Sequence, residues 1–200
     1  MTQEERPAGP GEADTGCGGA PAGEDAESRA GRVRAFFAGI ASGYETHRPV
    51  LCEAVLRTRG PILELGTGEG STLALHAVSA ACSRRVFSFD HDRGWIERFL
   101  HLRGEHHFLA HVPSWDDCPI DSQFWSVALV DHKPAERRVV EIGRLAYRAE
   151  LVVVHDTDSP EYNYEAIIDS FSYRLEYREH KQWTTLLSNY VDVSGWRIGP

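Results

Sequence analysis

The sequence predicts an α/β fold, with helices on both faces of a doubly wound, mostly parallel sheet. Short β-branched and aromatic runs alternate with segments of helical periodicity, as they do in βαβ units. The run Leu-Val-Val-Val at residues 151–154 is continuously apolar, which is typical of a central parallel strand. A glycine-rich turn after residues 61–65 connects the first strand to a helix. Together these observations favour a nucleotide-binding type of sheet.

The chain of 200 residues suits one domain with a substantial core. Its formal charge of −9 is uneven, because residues 1–30 carry seven acidic and two basic side chains. That segment is rich in Gly, Ala, Pro and Glu and has almost no core-forming residues. We therefore predict a disordered acidic tail over residues 1–30 and one folded domain over residues 31–200.

Composition also argues against several partners. No basic stripe suits nucleic acid, and no apolar run reaches the length of a membrane span. The four cysteines are scattered without a C-x-x-C pair, which favours free thiols and a cytoplasmic location: Cys17, Cys52, Cys82 and Cys118. Disulfides would require pairings that the sequence does not supply.

The glycine-rich turn reads Glu64-Leu-Gly66-Thr-Gly68-Glu-Gly70-Ser71. Glycines serve where a backbone takes positive φ or approaches a ligand closely. A helix that begins at Ser71 or the following threonine would present free N–H groups to an electron-rich ligand. The dinucleotide fingerprint G-x-G-x-x-G would need glycine at position 71, so this turn departs from it. An ordinary βα turn of another α/β protein is the alternative.

The spacing of the acid and glycines resembles motif I of class I S-adenosylmethionine-dependent methyltransferases. The resemblance covers about residues 32–198 and implies a Rossmann-like, seven-stranded sheet with an antiparallel last strand. It implies that Gly66 and Gly68 let the cofactor lie over the turn, and that Glu64 holds the methionine ammonium directly or through water. The remaining cofactor-binding residues predicted in the turn are Thr67, Gly70 and Ser71.

The periodicity predicts the other elements of the domain. Strands are predicted at residues 61–65, 85–89, 107–110, 125–130, 151–154, 173–178 and 183–188. Helices are predicted at residues 32–40, from 49, from 71 or 72, and at 93–102, 135–147 and 164–171.

An acid at the end of the second strand is where nucleotide-binding folds hold ribose hydroxyls. Asp90 is the first choice for this role, with neighbouring His91 in the cofactor site. Asp92 is the alternative, or it caps the following helix. By the family resemblance, Trp115 and Asp116 after the third strand contact the adenine. In the alternative interpretation, Trp115 is a core residue and Asp116 caps a helix.

Polar residues also follow the fourth and fifth strands, where parallel strand ends converge. Asp131, His155 and Asp156 suit a divalent ion such as Mg²⁺ or Mn²⁺. The arrangement resembles that of catechol-type and cephalosporin-hydroxylase-like O-methyltransferases, which hold a metal with an acid after strand four and an acidic or amide pair after strand five. His155 departs from that pair and would admit Mn²⁺, Fe²⁺ or Zn²⁺ more readily. Without a metal, Asp131 contacts the acceptor and Asp156 caps a helix.

The general base is predicted among His132, Lys133 and His155. The lysine stands one place earlier than in catechol-type enzymes, so its role as base is open. The resemblance also directs Tyr44 and His47 of the preceding linker towards the site, although both also suit a surface linker.

The sequence thus predicts metal-assisted methyl transfer from S-adenosylmethionine to a hydroxyl of a small-molecule acceptor. The alternatives are a metal-independent methyltransferase, an NAD-linked oxidoreductase and a non-catalytic cofactor-binding module. No nucleic-acid or membrane partner is expected, and a homodimer is left open.

Overall fold

Seven strands form one sheet in the order β3-β2-β1-β4-β5-β7-β6 in the computed structural model, which describes residues 25–39 and 43–199. Strands β1 to β5 are parallel, and β7 is inserted antiparallel between β5 and β6. The strands are β1 Ile62–Leu65, β2 Val86–Asp90, β3 His107–His111, β4 Trp125–Val130, β5 Ala149–His155, β6 Tyr173–Tyr177 and β7 Thr184–Ser188. This topology confirms the predicted fold class.

Helices cover both faces of the sheet because alternate strand residues point to opposite sides. Val127 and Leu129 of β4 pack with the first three helices, whereas Ala128 and Val130 pack with the last two. The helices are α1 Ala26–Phe37, α2 Arg48–Arg57, α3 Thr72–Cys82, α4 Arg93–Glu97, α5 Arg138–Leu145 and α6 Glu165–Ile168.

The first helix begins earlier than predicted. The Asp25 side chain accepts a hydrogen bond of 2.7 Å from the Ser28 backbone N–H, which caps α1 at Ala26. Residues 26–30, assigned to the acidic tail by composition, are therefore helical. The rest of the predicted tail, residues 1–24, lies outside the described residues.

Three other predicted helices are shorter or broken. The helix over 93–102 is α4 followed by a 3₁₀ turn at Leu100–Leu102, and the helix over 164–171 is only α6. A 3₁₀ turn at Ala135–Arg137 precedes α5. Val140 is 45% exposed because the buried positions 138, 141, 142 and 145 define the opposite face of α5.

Cys52, Cys82 and Cys118 are free thiols, as predicted, and Cys17 lies outside the described residues. Within residues 25–39 and 43–199, no helix is long and apolar enough to cross a membrane.

Candidate active site

The glycine turn packs directly on the end of β4. Gly66 has φ +94°, and a Cβ atom there would lie 2.6 Å from both the Asp131 carbonyl oxygen and the His132 Cα. The backbone N–H of Asp131 donates to the Leu65 carbonyl at 2.9 Å. Only glycine allows both this backbone conformation and this approach. This contact therefore joins the turn that is predicted to bind the cofactor to Asp131 and His132, which are predicted to take part in the reaction.

The other two glycines of the turn differ in their surroundings. A Cβ on Gly68 would meet nothing closer than 4.0 Å, so the fold itself does not require glycine there. A Cβ on Gly70 would lie 2.9 Å from the Tyr44 carbonyl oxygen and 3.3 Å from the His47 ring. The linker before α2 thus lies against the turn, as the resemblance predicts, although the Tyr44 side chain is 78% exposed.

Glu64 is fully buried beneath the turn. Its carboxylate accepts hydrogen bonds from the Ser71 hydroxyl at 2.5 Å and the Thr72 hydroxyl at 3.0 Å. Burial raises the pKa of Glu64 to about 7, although hydrogen bonds from Ser71, Ser88 and Thr72 oppose this shift. Ser71 therefore precedes α3 as predicted, but its hydroxyl binds the acid and not the helix backbone. Contact between Glu64 and a ligand ammonium remains a prediction.

Asp90 lies at the end of β2 and closes the turn from the other side. One carboxylate oxygen accepts from the Thr67 backbone N–H at 2.8 Å and from its hydroxyl at 3.1 Å. The other accepts from the Asp92 N–H at 2.9 Å. Asp92 itself caps α4 by accepting from the Trp95 N–H at 2.9 Å, which confirms one of its two predicted roles. Ribose binding by Asp90 remains a prediction, since a carboxylate offers further lone pairs.

The two residues after β3 that are predicted to contact adenine, Trp115 and Asp116, lie in different surroundings. Trp115 is buried, donates to the Lys133 carbonyl at 2.8 Å and packs its ring 4.0 Å from that of His132. The His91 ring lies 5.8 Å from Trp115. Trp115 is thus a core residue, and its contact with adenine stays a prediction.

Asp116 is exposed and forms an ion pair with Arg137, which lowers the pKa of that carboxyl. The cap of the short 3₁₀ turn is Ser114, whose hydroxyl accepts from the Asp116 N–H at 3.2 Å. The alternative in which Asp116 caps a helix is therefore wrong.

Asp131, whose side chain is 21% exposed, forms an acid–imidazole pair with the buried His155. Asp131 Oδ1 lies 3.2 Å from His155 Nδ1, and His155 Nε2 lies 2.8 Å from the Thr46 hydroxyl. Burial alone would raise the pKa of Asp131, but the charges of His155 and Arg138 hold it well below its usual range. Burial alone would lower the pKa of His155, but Asp131 raises it. The pair resembles the base and orienting acid of a catalytic dyad.

Arg138 is the residue that sequence reasoning missed. From the start of α5 its buried guanidinium donates to Asp131 at 3.0 Å and to Asp156 at 3.1 Å. It also donates to the His132 carbonyl at 2.6 Å. The carboxylates raise its pKa although burial opposes this. An arginine early in an amphipathic helix looks like a solvated residue, so no sequence signal marked it.

The predicted metal ligands Asp131, His155 and Asp156 lie together, since His155 Nδ1 is 3.2 Å from Asp131 and 3.7 Å from Asp156. Arg138, however, bridges the two acids. A divalent ion between them would meet a buried positive charge. Asp156 also has φ +59°, in the left-handed region, so it turns the chain as β5 ends.

His47 joins Asp131 and His155 from the segment just before α2. It is 1% exposed, and neither ring nitrogen has a hydrogen-bond partner among the described residues. Its Nδ1 lies 3.9 Å from Asp131, and its ring meets the His155 ring edge-on at 4.8 Å. Burial and the nearby His155 charge lower the pKa of His47 to about 3, so the imidazole is neutral.

His47, Asp131 and His155 each offer one ligand atom, and these atoms lie within 4.8 Å of one another. Two neutral-capable imidazoles and one carboxylate fit a first-row transition ion. The unpartnered nitrogens of His47 are the observation that favours a ligand there, because buried polar atoms are normally paired.

Two of the three predicted bases lie elsewhere. His132 is buried on the α5 side, with Nε2 3.3 Å from Glu141 and its ring against Trp115. Lys133 is exposed. Asp131 and His132 are consecutive, so their side chains leave the strand end in different directions. Of the three predicted bases, His155 alone lies in the cluster with Asp131. The role of Lys133 as a base stays a prediction, and His132 faces away from the cluster.

Comparisons with known proteins identify the fold. No family model matches the chain, and no curated protein matches its sequence. Solved structures do match. The SAH-bound methyltransferase of Podospora anserina is 10% identical with a TM-score of 0.58, over 82% of this chain and 87% of that one. A ribosomal protein L11 methylase from Lactobacillus delbrueckii is 14% identical with a TM-score of 0.53, over 75% and 81%.

An O-methyltransferase from Bacillus cereus in complex with SAH is 12% identical with a TM-score of 0.50, over 80% of this chain and 90% of that one. At these identities the likeness concerns the fold. The chain therefore has the fold of class I S-adenosylmethionine-dependent methyltransferases, including O-methyltransferases, as motif I predicted.

Proposed function

We propose that this protein binds S-adenosylmethionine and transfers its methyl group to a hydroxyl of a small-molecule acceptor. The observation that carries the proposal is the contact of Gly66 with Asp131, because it joins a cofactor-type turn to a buried acid–imidazole cluster. Solved methyltransferases of the same fold bind S-adenosylhomocysteine, the product of such a transfer. The net charge of −9 disfavours nucleic acid as the acceptor.

Methyl transfer to a hydroxyl requires that the acceptor oxygen lose its proton while it lies in line with the S–CH₃ bond. His155 is the candidate base, because its Nδ1 pairs with Asp131 at 3.2 Å. The Thr46 hydroxyl donates to the Gln182 carbonyl and so accepts from His155 Nε2, which must lose this proton before the ring acts as a base. Asp131 orients the ring and stabilises the protonated imidazole that forms. Arg138 holds Asp131 in place and keeps it ionised.

A divalent metal is the second part of the proposal. His47, Asp131 and His155 would hold it, and the two imidazoles favour Mn²⁺, Fe²⁺ or Zn²⁺ over Mg²⁺. When bound, such an ion lowers the pKa of the acceptor hydroxyl. The neutral state of His47 supports a ligand role, because a protonated imidazole cannot coordinate. The pKa of His155 is raised, so a metal ion that binds there would have to release its proton.

The cofactor is tested by calorimetry with S-adenosylhomocysteine. Wild type is expected to bind one equivalent, and Gly68→Val is expected to abolish binding, because its side chain fills the space over the turn. Gly104→Val is the matched control, since no atom lies within 4 Å of a Cβ there. Absent binding by wild type, or retained binding by Gly68→Val, would reject the proposal. A fluorescence titration with NADH tests the oxidoreductase alternative.

Turnover is tested by release of S-adenosylhomocysteine from S-adenosylmethionine in the presence of pooled hydroxylated metabolites. Product formation supports an enzyme, whereas cofactor binding without product supports a non-catalytic module. His155→Gln is expected to remove turnover and to spare cofactor binding.

The metal is tested separately by titrating the apoprotein with Mn²⁺. His47→Ala and His155→Gln are expected to weaken binding at least tenfold, and the exposed His101→Ala is expected to leave it unchanged. Activity that survives a chelator, together with unchanged Mn²⁺ binding by His47→Ala, would support the metal-independent dyad instead.

A further inference from the structure

A cavity lies at the opposite end of the sheet from the candidate active site. It measures about 220 Å³ and lies between α1, the end of α2 and the end of α3. Arg84 in its wall precedes β2 and donates to the Gly60 carbonyl, just before β1, and to the Ser126 hydroxyl in β4. The cavity is therefore at the amino ends of the parallel strands, whereas the glycine turn is at their carboxyl ends.

Arg84 carries a buried positive charge without a carboxylate partner in the described part of the chain. Its side chain belongs to a residue that is 5% exposed. Besides Gly60 and Ser126, it donates to the Val55 carbonyl at 2.6 Å and the Thr58 hydroxyl at 2.6 Å. All four acceptors are neutral. The carbonyl end of α2 offsets part of the charge, which is the structural role of this arginine.

Two further arginines line the same cavity. Arg29 enters from α1 and Arg59 from the segment after α2, and neither forms an ion pair within residues 25–39 and 43–199. Among the described residues that line the cavity, Asp25 is the one carboxylate, and it is engaged in capping α1. Three guanidiniums thus face one carboxylate.

The positive charges act on one another across the cavity. Burial, together with the charges of Arg29 and Arg59, lowers the pKa of Arg84 to about 10, although Glu150 acts in the opposite direction. Like charges held together in a partly apolar setting are relieved by an anion. Arginine is the side chain best suited to carboxylate and phosphate, because its planar fork can donate two hydrogen bonds.

We propose that this cavity binds a small anion, a carboxylate or a phosphate, between Arg29, Arg59 and Arg84. Val33, Val55 and Val78 supply apolar wall against which a short hydrocarbon body would pack. Drug-sized ligands occupy roughly 300–1,000 Å³, so the cavity takes a smaller molecule. Because Arg29 belongs to α1, the bound anion would also fix α1 against α2 and α3.

The test is calorimetric titration of the full chain with inorganic phosphate and, separately, with acetate at constant ionic strength. Saturable binding with one site is expected for at least one of them, and the tighter of the two identifies the head group. Arg29→Ala and Arg59→Ala are expected to weaken it about tenfold, as loss of a charge-assisted hydrogen bond implies. Arg59 is exposed and Arg29 is half-buried, so these variants should retain the fold.

Arg57→Ala is the matched control, because Arg57 lies close by at the end of α2 but pairs with Glu53 outside the cavity. Its anion affinity is expected to equal that of wild type. The absence of saturable binding by either anion overturns the proposal. So does an equal loss of affinity in the Arg57, Arg29 and Arg59 variants, because that pattern is nonspecific charge screening. Neither result bears on cofactor binding, which is measured at the other end of the sheet.

Discussion

The α-carbon of Gly66 lies so close to Asp131 that any Cβ would stand 2.6 Å from the Asp131 carbonyl oxygen. This contact presses the turn after β1 against the end of β4. The same aspartate carries the carboxylate that pairs with His155. The close approach of the Gly66 and Asp131 backbones thus sets the distance between the proposed methyl donor and the proposed base.

Gly66→Ala should destabilise the fold, whereas Gly68→Ala should not. The first substitution combines positive φ with a backbone clash and is expected to cost at least about 2 kcal/mol of unfolding free energy. The second meets open space and is expected to stay within about 1 kcal/mol while weakening S-adenosylhomocysteine binding. Urea unfolding and calorimetry measure the two effects. Equal stability of both variants would contradict the role assigned to Gly66.

Arg138→Lys should be strongly destabilising because lysine cannot span Asp131 and Asp156 together. The two carboxylates are partly buried, so an acid left unpaired is expected to cost roughly 2–3 kcal/mol. Arg174→Lys is the matched control, since its ion pair with Asp169 is exposed and is expected to contribute at most about 1 kcal/mol. Chemical unfolding of both variants compares the costs. Similar values would show that Arg138 does not bridge the acids.

The pair Asp131–His155 should stabilise the fold most at mildly acidic pH. The pKa of Asp131 is lower in the folded protein than its value of about 3.9 in the unfolded chain. Asp131 therefore stabilises the fold at pH values above about 3.9, and this stabilisation is lost as the pH falls through the folded pKa. The raised pKa of His155 contributes stability below about 6.5, and this is lost as pH rises through the folded pKa.

Between about pH 4 and 6.5 both contributions are therefore complete. The difference in unfolding free energy between wild type and His155→Gln should be largest there and should shrink above pH 7. Urea titrations at several pH values measure it. A difference that grows on going from pH 6 to pH 9 would contradict the raised pKa of His155.

Glu64→Gln should increase the free energy of unfolding and weaken cofactor binding. A folded pKa of about 7 against a model-compound value of 4.5 means that wild type loses stability as pH rises between these values. The total is about 3 kcal/mol. The advantage of the glutamine variant over wild type should therefore increase with pH and reach its plateau above pH 7. Its affinity for S-adenosylhomocysteine should fall, because glutamine brings no negative charge near the ammonium. A pH-independent stability difference would contradict burial as the cause.

Local patterns were enough to predict the sheet. The prediction for β4 at residues 125–130 matches the observed Trp125–Val130, because six consecutive buried residues leave a continuous apolar run. The sequence also predicted the turn at Gly66 and Gly68 and the helix cap at Asp92, since each depends on neighbours a few residues away. The shorter helices were less predictable, because the ends of α4 and α6 are set by packing.

The composition of the candidate cluster depended on contacts between distant parts of the chain. His47 and His155 are more than 100 residues apart in sequence, and Arg138 reaches both Asp131 and Asp156 from α5. His132 follows Asp131 directly yet faces Glu141. Sequence alone does not specify which way a side chain turns after a strand ends.

The sequence by itself therefore determined the order of elements, the glycine turn and the edge of the sheet at which acids gather. Those features follow from periodicity and backbone preference, which act locally. Only the tertiary structure decided that Arg138 neutralises Asp156 and that His47 stands beside Asp131 and His155. The physical reason is that buried charges and imidazoles take their partners from whichever elements packing brings within reach.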